Sequence, residues 1–189
     1  VFGHAGAIDS NGTILICGGT AVIPPVEAGG RRSFEAIVDC YAGRISADSK
    51  DDIFWETRGN TPEGASYRSV LIPMENEEFY LLGGSDNAYN YNGIGYDGVP
   101  SEPRRFYAML NSCGRPQWVH GNAPFARHMD IRGAIQLGRS AFILGGMLSG
   151  QEGTAGVHRY TEKELVLLGL PCAESRLPNP PPHPHPQPS

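Results

Sequence analysis

The residue types that do chemistry are thinly spread in this chain. It has 189 residues and six histidines. His4, His120, His128 and His158 stand apart, and none has a partner at i+2 or i+4 with a third ligand close by, the spacing that metal sites use. His183 and His185 alternate, but between prolines in what reads as a solvated tail. Asp39, Asp51 and Asp52 supply carboxylates, yet nothing fixes the separation that general acid–base work requires. No Gly-x-Ser-x-Gly nucleophile turn and no phosphate-cradling loop occurs. The sequence predicts no catalytic residue, no metal site and no cofactor.

Its better candidate is a surface. The segment Ser85-Asp-Asn-Ala-Tyr-Asn-Tyr-Asn-Gly-Ile-Gly-Tyr-Asp-Gly98 interleaves tyrosines with amides and carboxylates. Tyrosine supplies flat amphipathic area at low entropic cost, and Asn and Asp supply adaptable hydrogen bonds. Asp86, Asn87, Tyr89, Tyr91, Tyr96 and Asp97 are therefore the predicted binding residues, for a glycan or a protein partner. The pairs Arg31-Arg32 and Arg104-Arg105, with Arg127, are read as surface ion-pair formers. Asn11-Gly-Thr13 fits the N-glycosylation pattern and also an ordinary hairpin turn.

The elements that position this loop repeat. Thr13-Ile-Leu-Ile-Cys-Gly-Gly19, Glu78-Phe-Tyr-Leu-Leu-Gly-Gly84 and Ser140-Ala-Phe-Ile-Leu-Gly-Gly146 are apolar runs ending in a glycine pair. Their first glycines, Gly18, Gly83 and Gly145, lie 65 and 62 residues apart. Recurrence at near-constant spacing marks an internal repeat. In the first unit the pattern predicts strands at His4–Ile8, Thr13–Cys17, Phe34–Tyr41 and Ile53–Glu56. The second places them at Arg68–Ile72, Glu78–Leu82, Arg105–Leu110 and Gln117–Val119. The third places them at Arg132–Leu137, Ser140–Leu144, Gly156–Tyr160 and Leu165–Leu168. Tyr41, Tyr107 and Tyr160 recur in the third strands, and Trp55 and Trp118 in the fourth.

This pattern resembles the kelch repeat, one blade of a β-propeller, over about residues 3–169. The resemblance implies an all-β fold of three four-stranded blades, at 3–56, 67–120 and 131–169. The tyrosines and tryptophans would fill the wedges between blades. Kelch units are about 50 residues long, so these carry long loops. Rings usually have about four to eight blades, so three make an incomplete ring. Its open faces would need other protein chains, a longer parent or a second copy to complete it.

Gly83-Gly84, Arg105-Phe106, Cys113-Gly114, Trp118 and Phe142-Ile-Leu-Gly-Gly146 also resemble the propeller of the galactose oxidase and glyoxal oxidase group. Those secreted enzymes use one copper and a cysteine-crosslinked tyrosine. Here Gly64-Ala-Ser-Tyr-Arg68 lacks that cysteine and Arg127-His-Met-Asp130 lacks that tyrosine. The resemblance thus implies the fold and a secreted setting without copper-radical catalysis.

A net charge of −5 argues against a nucleic-acid partner. No apolar run reaches the roughly 18 residues of a membrane span. The chain starts at Val1, which reads as a processed product or a piece of something longer. The prolines of residues 177–189 predict an extended, proline-rich C-terminal tail like those of plant and algal wall glycoproteins. Four cysteines allow three pairings. The strand order puts Cys17 at the end of a second strand and Cys40 near the end of a third, at opposite ends of the blade. It predicts against a Cys17–Cys40 bridge. The expected function is a non-catalytic structural or binding module of an extracellular glycoprotein. The alternatives are a fragment of a galactose-oxidase-like copper enzyme and an intracellular kelch adaptor.

Overall fold

The structure, a computed structural model, describes residues 1–30, 32–46, 48, 52–62, 64, 66–75, 78–90, 92–112, 115–121, 128–131, 133–148, 153–154, 156–161 and 165–167. Cys113, Cys172, Arg31, Asp51, Tyr91, Arg127, His183, His185 and the proline-rich tail at 177–189 lie outside them. The chain is all-β, and no helix occurs among the described residues. In order the strands are β1 (Ala5–Ile8), β2 (Thr13–Cys17), β3 (Thr20–Ile23), β4 (Ser33–Ala36), β5 (Asp39–Ile45), β6 (Ile53–Asn60) and β7 (Val70–Pro73). Then come β8 (Phe79–Leu82), β9 (Tyr107–Ser112), β10 (Arg115–Gly121), β11 (Gly133–Leu137), β12 (Ser140–Leu144), β13 (Val157–Thr161) and β14 (Leu165–Leu167).

They form three main antiparallel sheets and one hairpin. The first sheet is β1-β2-β5-β6, the second β7-β8-β9-β10-β14, the third β11-β12-β13, and β3 pairs with β4. The turn joining β1 to β2 shows the local chemistry at work. The Asp9 carboxylate accepts from the Asn11 and Thr13 amides at 2.9 and 2.8 Å, and Gly12 takes a positive φ of 79°. A short polar side chain mimics the backbone here, and only glycine adopts that φ without strain.

Two layers of core hold the sheets together. Ala5, Leu15, Cys17, Cys40 and Ala42 of the first sheet pack on Leu71, Phe79, Leu81, Tyr107 and Met109 of the second. The other face of the second sheet brings Ile72, Tyr80, Leu82, Ala108 and Val119 against Ala141 and Ile143 of the third. Strand β7 touches both β1 and β11, so the first strands of the sheets gather along one line.

The glycine pairs make that line possible. A Cβ on Gly18 would run into the backbone oxygen of Ser66, and one on Gly83 into that of His128. Gly18 and Gly83 each lie where one sheet meets the chain entering the next. Backbone hydrogen bonds link these entries: Arg68 N–H donates to Gly3 O at 2.8 Å, and Ile131 N–H to Arg68 O at 3.4 Å. Gly3, Arg68 and Asp130 occupy one repeat position, with φ of 67°, 54° and 52°. At the two non-glycine positions this conformation costs on the order of 1 kcal/mol or more.

Three expectations are corrected. The segment after Ser33 is not the third strand of the first sheet, because β4 leaves to pair with β3. The Ile37 N–H donates to Gly19 O where the chain turns away, and the true third strand starts at Asp39. Cys40 thus lies near the start of its strand, directly opposite Cys17, and the two form a disulfide. The predicted absence of that bridge was an error of register. Finally, β14 does not complete the third sheet. It pairs with the far edge of the second through Val119↔Leu167 and His120↔Val166, leaving the third sheet with three strands.

Candidate functional site

The long loop begins where Gly83-Gly84 ends β8. Ser85 exchanges backbone hydrogen bonds with Tyr67 at 2.9 and 2.8 Å, and it also bridges to Pro103. Both ends of the loop are thereby pinned at one residue. Inside it, Ser85 Oγ donates to Asn87 O at 2.7 Å. The Glu102 amide donates to Asp86 Oδ1 at 2.8 Å. Asn87 Nδ2 donates to both oxygens of Asp97, at 2.9 and 3.0 Å, while the Val99 amide donates to Asp97 Oδ1 at 3.0 Å. The Val99 amide first, and then Asn87, hold the Asp97 carboxyl below its usual range.

The hairpin of β3 and β4 forms the opposite wall. Phe34 on β4 stacks on Tyr96, with ring centroids 3.9 Å apart and planes within 16°. Between hairpin and loop lies a small pocket of about 80 Å³, lined by Thr20, Phe34, Ala36, Tyr67, Asp86 and Asn87 among others. It offers an aromatic wall beside a carboxylate and an amide. Such a surface can hold a hydroxylated or amide-bearing group through stacking and directional hydrogen bonds.

Below it lies a second cluster. Tyr89 is fully buried, edge-on to Tyr67 at 5.4 Å, and Tyr67 Oη donates to Tyr89 O at 3.0 Å. The Arg68 guanidinium carbon sits 5.2 Å from the Tyr67 ring centre and 4.9 Å from that of Tyr89. Its Nη1 pairs with Asp130 Oδ1 at 3.2 Å, with both side chains about one-fifth exposed (21% and 18%). Burial pushes both phenols up, and the nearby cation only partly opposes it. Burial works against the Arg68 charge, but Tyr67 and Asp130 more than offset it and its affinity for the proton is raised. This cluster fastens the second sheet's entry strand to the third's.

The predicted binding residues therefore separate. Asp86, Asn87, Tyr96 and Asp97 come together around the pocket or the clamp beside it. Tyr89 turns inward and props the loop from beneath, and Tyr91 lies outside the described residues. Asn11 is exposed at the β1–β2 turn, far along the first sheet's hairpin from this pocket. Sequence reasoning missed Thr20, Phe34 and Tyr67 as lining residues. The signal for Phe34 was hidden by assigning its segment to the main sheet. For Arg68 and Asp130, superposing the three units on their glycine pairs would have shown one position held in turn by Gly, Arg and Asp. Among the described residues no three His, Cys, Asp or Glu side chains converge where a metal ion could sit.

No protein-family model matches the chain, and no curated protein matches it. A solved structure titled "Structure of YjhT" superposes with a TM-score of 0.59 at 12% identity, over 88% of this chain and 45% of that one. The likeness is one of fold. This chain spans less than half of that chain's length.

Proposed function

We propose that the three sheets are kelch-type propeller blades and that the chain is a non-catalytic structural or binding module of a secreted glycoprotein. The gathering of β1, β7 and β11 supports the blade reading, since the first strand of each blade lies nearest a propeller's axis. The buried Cys17–Cys40 bridge supports an oxidising compartment, because such bridges are rare in reducing ones. A single observation carries the binding reading: the pocket framed by Phe34, Asp86 and Asn87, with Phe34 held by its stack on Tyr96 and Asn87 by its clamp on Asp97. Its occupant would be a glycan hydroxyl edge or a small polar side chain of a protein partner.

The test is a binding screen of the oxidised chain against neutral and acidic oligosaccharides, followed by titration calorimetry on any hit. The reading predicts saturable binding that falls about tenfold or more in Asn87→Ala and in Phe34→Ala, the loss of roughly one good contact. Binding that both variants leave intact would remove the pocket from the account. Copper-dependent oxidation of an alcohol or aldehyde would replace the module reading with the enzyme one.

A further inference from the structure

The second sheet is covered on both sides, but the first and third each turn one face to solvent. On the first sheet that face carries Ile8, Ile14, Ile16, Tyr41, Ile53 and Trp55. The cross-strand pairs Ile8↔Ile14, Ile14↔Gly43 and Gly43↔Trp55 set them in a row. Tyr41 is 41% exposed and Trp55 48%. On the third sheet the open face carries Ile135, Phe142, Leu144 and Val157, joined by Ile135↔Phe142 and Leu144↔Val157. Ile135, Leu144 and Val157 are all strongly exposed. Apolar surface of this kind marks an interaction site.

The repeat tells which surface each face fits. Superposed on the first glycine of each pair, Ile14 and Ile16 correspond to Phe79 and Leu81; by strand pairing, Tyr41 opposite Ile16 corresponds to Tyr107 opposite Leu81, and Trp55 on the adjoining strand to Trp118. Phe79, Leu81, Tyr107 and Trp118 are the residues with which the second sheet packs on the sheet before it. Phe142 and Leu144 correspond to Tyr80 and Leu82, with which the second sheet packs on the sheet after it. The two open faces are therefore opposite halves of the contact that the chain already makes twice within itself.

We propose that a second copy of this chain supplies the missing halves. The third sheet of each copy packs on the first sheet of the other, giving two equal head-to-tail contacts that close a ring of six sheets. This rests on the blade reading above. The choice of a second copy follows from this complementarity: each copy carries both halves, the open first-sheet face and the open third-sheet face, of the contact made between its own sheets. A head-to-tail contact that closes on itself stops at a discrete assembly and does not propagate into a fibre.

The test uses the oxidised chain and two surface variants, Ile53→Glu on the first sheet and Ile135→Lys on the third, with native mass spectrometry and hydrogen exchange on each. The wild type is expected to be a dimer, and each variant alone a monomer. An equimolar mixture of the two is expected to regain a heterodimer, because one of its two contacts is then wild type. A wild-type monomer would overturn the proposal, as would variants that remain dimeric. A dimer without heterodimer rescue would also overturn it, since self-paired identical faces give no rescue. Hydrogen exchange separates this failure from that of the blade reading. If β8 amides stay protected in a monomer, the stacked sheets stand and only the second copy falls. If β8 exchanges freely, the stack itself is wrong.

Discussion

Two regions of this molecule carry the same sequence pattern with different results. In the second sheet, Phe79, Tyr80, Leu81 and Leu82 are all buried, so a strand of four apolar residues has both faces covered. In the first sheet the matching strand alternates, with Thr13, Leu15 and Cys17 buried while Ile14 and Ile16 remain half-exposed. A continuous apolar run is the sequence mark of a strand covered on both sides. The first sheet has that mark but, among the described residues, only one neighbouring sheet. The difference shows that burial here belongs to a position in the stack and not to the strand.

The largest test of this comparison is to remove one ring from each region. Phe79→Ala should cost about 3–5 kcal/mol in urea unfolding, as for an aromatic deleted from a packed core. Trp55→Ala, measured in dilute chain, should stay within about 1 kcal/mol, as for a surface change. Equal costs would erase the distinction. Next comes the bridge between the first sheet's two central strands. Cys17→Ala combined with Cys40→Ala should lower stability by about 2–4 kcal/mol, without affecting the packing of the third sheet.

A finer test uses the first glycines. All three have positive φ, so alanine at any of them incurs about 1–2 kcal/mol of backbone strain. At Gly83 the added Cβ also collides with the His128 backbone, because another sheet follows. At Gly145 the nearest atom is Thr154 O at 3.1 Å, and among the described residues no further sheet packs there. Gly83→Ala should therefore be clearly the more destabilising of the two by thermal unfolding. A smaller effect concerns pH. Tyr67 and Tyr89 have raised pKa values, chiefly from burial. Their contribution to stability is full below about pH 10, the ordinary tyrosine value. It is lost as pH rises through their folded values. Alkaline absorbance titration should show these two ionising late and together with unfolding.

Much of the fold was legible from residues 13–19, 78–84 and 140–146, because an apolar run ended by two glycines has few uses other than a strand meeting a crowded backbone. The strand pairs flanking each run followed from turn chemistry, as at Asp9–Gly12. What was not legible depended on contacts distant in sequence. Thr20–Ile23 and Ser33–Ala36 have ordinary strand composition, and only the competition between pairing partners decides that they form their own hairpin. That decision moved Cys40 by a strand's length and created the bridge. Leu165–Leu167 is apolar enough for any edge, and it joined the second sheet. At the site, the loop's polar and aromatic composition pointed to Asp86, Asn87 and Tyr96. It could not show that Tyr89 turns inward, because a tyrosine's direction in a loop depends on where Arg68 and Tyr67 arrive from another part of the chain.

Hydroxyl-radical footprinting of the oxidised chain across a concentration series tests the central claim most directly. The account predicts that Trp55 and Ile53, together with Leu144 and Val157, are reactive when dilute and become protected in concert as concentration rises, while Trp118 does not change. If Trp55 and Leu144 remained equally reactive at every concentration, or only one of the two faces became protected, the claim that the open faces are halves of one contact would be contradicted.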